Sequence, residues 1–101
     1  MILTKTEKNA IVKIISRRIP GKIQVYIYGS RTRNIKSKDS DIDILILTDN
    51  LIANNEIRKL KIEISEALGG TKIDIVQSTF AERTPFVKLV EEDAVLIWER
   101  K

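Results

Sequence analysis

The chain has no cysteine and no histidine among its 101 residues. Disulfides, the usual zinc sites, thiol nucleophiles and imidazole general bases are therefore excluded together. Any metal must be held by oxygen, which points to magnesium or manganese. Aromatic side chains are few, and Tyr26, Tyr28, Phe80, Phe86 and Trp98 are scattered. They form no stacking stripe of the kind that single-stranded nucleic-acid binders present, so core or edge packing is their expected role. No apolar run approaches the roughly 18 residues of a membrane helix, and Met1 to Lys5 is too short for a signal h-region. The expectation is a cytoplasmic protein with no membrane partner.

What is present is ordinary for a globular protein: 43% hydrophobic, 32% charged and a net charge of +4. That balance favours anionic partners, nucleotides and nucleic acid included. Thr4-Lys5-Thr6-Glu7 has capping-box spacing, and Ile11, Ile14 and Ile15 follow it at helical intervals. This predicts a helix over residues 5–18, stopped by Pro20-Gly21. Val25 to Tyr28 reads as a strand ending at Gly29, and Ser30 to Asn34 as a short helical turn. Asp41 to Leu47 is a second strand, with Ile42, Ile44 and Ile46 on one face and Asp41, Asp43, Leu45 and Leu47 on the other. A helix over 54–68 ends at Gly69-Gly70, and Lys72 to Gln77 forms a third strand. Thr84-Pro85 starts a last helix to Glu92. Ala94 to Trp98 is the final strand, before a charged end of Glu99-Arg100-Lys101.

With no linker or repeat, residues 1–101 read as a single domain. The alternation of elements predicts an α/β chain in the broad sense (α+β), a mixed sheet of about four strands flanked by helices. If Gly29 and the two aspartates share a site, strands one and two run antiparallel. Strand three, reached through a helix, then lies parallel to strand two, and Asp74 joins the same end of the sheet.

Ten residues separate Ser30 from Asp41, four of them basic: Arg31, Arg33, Lys36 and Lys38. A tight turn, a basic connector and alternating carboxylates describe a site for a metal-bound polyphosphate. Asp41 and Asp43 point to the same side, and a divalent cation is the simplest way to keep both ionised. The competing account makes them the solubilising face of a strand, although aspartate is a poor strand former. Asp74 is either a third ligand or general base, or a charge that guards an edge strand. Gly29-Ser30 is either an ordinary turn or a place where phosphate meets backbone and hydroxyl donors. Arg31 and Arg33, nearest the turn, are the better phosphate candidates, against the alternative of a solvated connector. Asp39 and Asp49 sit in predicted turns and are set aside.

As a combination, Gly29-Ser30-x10-Asp41-Ile42-Asp43 with Asp74 resembles the signature of the polymerase-β nucleotidyltransferase superfamily. The short length resembles its minimal nucleotidyltransferase (MNT) branch. Glu82-Arg83-Thr84-Pro85-Phe86-Val87-Lys88 with Glu91-Glu92-Asp93-Ala94-Val95 resembles the end of that branch. Asn34 departs from the glycine of many relatives but tolerates the same left-handed backbone. The resemblance, running from Val25 to Trp98, implies a polymerase-β-like fold in which Asp41 and Asp43 bind two magnesium ions, manganese being the substitute. Asp74 would ligate one of them and take the proton of an acceptor hydroxyl. Gly29 and Ser30 would hold the β- and γ-phosphates of ATP or another nucleoside triphosphate.

The resemblance further implies a hetero-oligomer with a small helical HEPN toxin, to which the MNT protein acts as antitoxin by transferring AMP to a hydroxyl. Two other readings remain: a non-catalytic antitoxin or scaffold that neutralises a HEPN ribonuclease by binding, and a small basic nucleic-acid-binding domain. Three clustered carboxylates weigh against the first of these, and the lack of an aromatic platform against the second.

Overall fold

The computed structural model describes residues 3–29 and 41–101. Its elements are α1 (Lys5–Arg18), β1 (Ile23–Tyr28), β2 (Ile42–Thr48), α2 (Asn54–Ala67), β3 (Ile73–Thr79), α3 (Pro85–Glu91) and β4 (Val95–Arg100). The sheet order is β3-β2-β1-β4. β1 pairs antiparallel with both β2 and β4, while β2 and β3 are parallel and joined across α2. The mixed sheet and its strand directions are those expected from the sequence.

Local chemistry accounts for the helix boundaries. The Thr4 hydroxyl accepts from the Glu7 amide at 3.0 Å, and the Glu7 carboxylate accepts from the Thr4 amide at 2.9 Å. That reciprocal pair closes the capping box at the start of α1. Thr84 likewise caps α3 by accepting from the Val87 amide, with Pro85 in the first helical turn. α2 has no side-chain cap; the Glu56 and Ile57 amides both donate to the Ala53 carbonyl instead. The loop before α2 is clamped from β3, where the Gln77 amide group exchanges two hydrogen bonds of 2.8 Å with the Ile52 backbone.

The sheet separates two apolar clusters. On one face Ile42, Ile44 and Ile46 pack with Ile11, Ile14 and Ile15 of α1 and Leu60 and Ile64 of α2. On the other, Leu45 and Leu47 pack with Tyr28 and with Val87 of α3. The alternation along β2 therefore sorts its side chains as predicted. Arg17 and Arg18 of α1 both pair with Glu63 of α2, and Arg18 also reaches Glu56 at 3.1 Å.

Two expectations need correction. β4 runs on through Arg100, so the charged end is part of the sheet. The Arg100 guanidinium donates to the carbonyls of Ser16, Ile19 and Gly21 at 2.8–3.1 Å, satisfying backbone acceptors where α1 ends. Phe86 is not packed away: it is 51% exposed on α3. α3 is short and rests on Val87, leaving its flanking apolar residues in solvent.

Candidate active site

Strand register builds the site. Tyr28, the last residue of β1, lies opposite Asp43 on β2, and Asp43 lies opposite Asp74 on β3. Cross-strand partners share a face, so these three side chains form a row across three neighbouring strands, on the α3 side of the sheet. Asp41 precedes β2 and is aligned by the hydrogen bond from the Ile42 amide to the Lys72 carbonyl. Its carboxylate lies 3.7 Å from the Lys72 ammonium.

The electrostatics follow from this crowding. Adjacent strands are only about 4.8 Å apart, so the charges of Asp74 and Asp41 act on Asp43 at short range. The Asp43 carboxyl is pushed above its ordinary range, first by partial burial and then by the negative charges of Asp74 and Asp41, with Lys72 opposing. Tyr28 is pushed up to about 12 by burial, then by Asp43 and Asp74. Its phenol therefore stays protonated at neutral pH and is available as a donor rather than an anion.

Gly29 follows directly, with φ +81°. A Cβ there would stand 2.3 Å from Asp43 Oδ2, so the turn needs glycine for backbone conformation and for space. Beside it a groove of about 410 Å³ is lined by Tyr28, Gly29, Phe86, Leu89, Val90, Glu92 and Asp93. The Phe86 ring meets Tyr28 edge-on, with centroids 6.2 Å apart and planes at 79°.

Of the predicted site residues, Gly29, Asp41, Asp43 and Asp74 come to the same end of the sheet. Ser30, Arg31 and Arg33 lie outside the described residues, as do Lys36, Lys38 and the expected turn over 30–34. Sequence reasoning missed Tyr28 and Lys72 as neighbours of the carboxylates. The signal for Tyr28 was its place just before Gly29; for Lys72, its place two residues before Asp74.

Asp41, Asp43 and Asp74 offer carboxylate oxygens, which suit a hard divalent cation. The Asp43 carboxyl, raised first by burial and then by its acidic neighbours, fits the same group, because an added positive charge offsets both penalties on the ionised form. Among the described residues no three acidic side chains are already gathered as a complete ligand set. Asp41 leans instead toward Lys72.

Comparison with known proteins identifies the family. Residues 9–101 match the family described as Polymerase beta, Nucleotidyltransferase. The chain belongs to that family. It is similar to the spectinomycin 9-adenylyltransferase of Campylobacter jejuni, with 32% identity over 85 residues. The match takes in 80% of the chain and 33% of that protein, so the chain spans about a third of the relative's length. Its fold is similar to a chain of a toxin–antitoxin crystal structure with AMP-PNP, at TM-score 0.78 and 22% identity over 93% of this chain and 74% of that one. It is also similar to a chain of the complex of a tri-AMPylated Shewanella oneidensis HEPN toxin with MNT antitoxin. There the TM-score is 0.71 at 22% identity, covering 91% of this chain and 69% of the other. The chain thus has the polymerase-β-like fold expected from the sequence. Among its described residues, no helix is long and apolar enough to cross a membrane.

Proposed function

We propose that this nucleotidyltransferase is the magnesium-dependent antitoxin of a cytoplasmic HEPN–MNT pair, transferring AMP from ATP to a hydroxyl of its partner toxin. The observation that carries the proposal is the row Tyr28–Asp43–Asp74, with Asp41 beside it and the Gly29 turn at its end. The row and Asp41 together supply three carboxylates at one sheet end, next to the Gly29 turn, which suits metal-assisted phosphoryl-group chemistry.

Asp41, Asp43 and Asp74 would hold magnesium. Such an ion, when bound, neutralises the carboxylates and the charge that develops on the phosphates. The backbone of the Gly29 turn would meet a phosphate, with Ser30, Arg31 and Arg33 as the proposed phosphate-binding partners. Asp74 accepts the proton of the acceptor hydroxyl. The oxygen so freed forms a bond to the α-phosphorus as the bond to the β-phosphate oxygen breaks, and pyrophosphate leaves. Tyr28 remains a neutral phenol beside the reacting carboxylates.

The test uses α-labelled ATP, magnesium and a HEPN protein co-purified with the chain. Label should pass to the HEPN protein, and Asp43→Asn should abolish the transfer while sparing the complex. Equal neutralisation by wild type and variant, with no label transferred by either, would establish a binding-only antitoxin instead. Salt-sensitive DNA or RNA binding without any magnesium-ATP binding would favour the nucleic-acid reading.

A further inference from the structure

The groove beside Gly29 continues onto a surface that the chemistry above leaves unused. Leu89 is 69% exposed and Phe86 51%, large values for two apolar side chains on one short helix. Both line the groove together with Val90 and Tyr28. At the end of α3, Glu92 and Asp93 line the same groove. Tyr28 stands directly opposite Asp43, so a chain lying in the groove has its inner end at the carboxylate row.

This combination discriminates between occupants. At the α3 end of the groove Glu92 and Asp93 repel a polyphosphate, and among the described residues no lysine or arginine lines it. A nucleobase would leave most of the exposed Leu89 and Phe86 surface uncovered. A polypeptide covers an apolar ridge and answers an acidic rim at once, if it pairs apolar side chains with basic ones. We propose that the groove between the end of β1 and α3 docks the acceptor polypeptide, and that it selects a segment in which an apolar side chain is flanked by lysine or arginine. The apolar side chain seats against Phe86, Leu89 and Val90, the basic neighbour faces Glu92 and Asp93, and the acceptor hydroxyl is delivered past Tyr28. This rests on the transferase reading for the word acceptor, but the docking itself does not require transfer.

The experiment measures binding of two labelled synthetic peptides to the full chain by fluorescence anisotropy. One alternates leucine and tyrosine with lysine; the other carries glutamate in place of every lysine. The lysine peptide should bind, and the glutamate peptide should bind at least about tenfold more weakly. Leu89→Asp and the pair Glu92→Lys with Asp93→Lys should each weaken the lysine peptide about tenfold or more. All three residues are exposed, and a thermal melt of each variant is the check that it folds. Binding of magnesium-ATP, followed separately by calorimetry, should be unchanged in these variants. Equal affinity for the two peptides, or variants that bind the lysine peptide as wild type does, would overturn the docking surface. Loss of ATP affinity with peptide binding intact would make the groove a nucleoside pocket and also overturn it. If ATP never binds while lysine-peptide docking behaves as expected, the transferase reading fails and the docking surface stands.

Discussion

Asp43 Oδ2 occupies the space that a side chain on Gly29 would need, the two positions being 2.3 Å apart. The turn that ends β1 and the carboxylate near the start of β2 are therefore fitted to each other.

Gly29→Ala should disturb both. The positive φ alone costs about 1–2 kcal/mol for a residue with a Cβ. The displaced Asp43 carboxylate should then weaken magnesium binding and nucleotidyl transfer more than the loss of stability explains. Metal titration at a temperature where the variant is still folded separates the two effects.

Asp43→Asn has a pH-dependent signature. Because the folded state raises the Asp43 pKa, it binds the proton more tightly than the unfolded chain does. Below the ordinary carboxylate value both states are protonated, and the group costs nothing. As pH rises through the raised folded value, the wild type loses stability, and the loss is complete above it. In chelator, the asparagine variant should therefore melt higher than wild type at about pH 7 and lose this advantage below about pH 4. Magnesium should stabilise the wild type and leave the variant nearly unmoved.

Glu63 works in the opposite sense. Hydrogen bonding to Arg18, and then its charge, holds the Glu63 carboxyl below its ordinary value. Its contribution is present above the ordinary glutamate value and is lost as pH falls through the folded one. Glu63→Gln should lower the melting temperature at neutral pH, less so in acid or at high salt, since the network is partly exposed.

Lys72→Gln should tighten divalent-ion binding. Its ammonium lies 3.7 Å from Asp41 Oδ2, on a side chain that is 70% exposed. Removing it frees Asp41 and takes away a competing charge, an effect of about two- to fivefold in affinity. Manganese titration of wild type and variant at equal ionic strength gives the comparison.

Arg100→Ala should cost about 2 kcal/mol, because it strips a charged donor from three carbonyls around the end of α1. Chemical denaturation measures it directly.

The strands, helices and their directions could be read from the sequence because each rests on a local signal. Caps at Thr4 and Thr84, alternation along Ile42 to Leu47 and the breaks at Pro20-Gly21 and Gly69-Gly70 need no tertiary information. The nearness of Asp41, Asp43 and Asp74 was also legible, since it follows from strand direction once the turn at Gly29 is assigned to the same site. Arg100 was not, because its partners Ser16, Ile19 and Gly21 lie at the far end of the chain and an ionic terminus looks solvated by default. Phe86 failed for a related reason. Helical spacing says which residues share a face, but the length of α3 and its single buried contact at Val87 decide how much of that face is covered.

The pairing of β1 with β2 has one more consequence. Side chains alternate with a period of two, so sliding β2 by one residue would turn Asp41 and Asp43 toward α1 and α2 and expel Ile42, Ile44 and Ile46. A misaligned chain would bury carboxylates and expose its most apolar strand, and would scarcely fold. Proofreading of the candidate site is thus built into the oil-water preference of β2: any molecule stable enough to persist already has its aspartates in line.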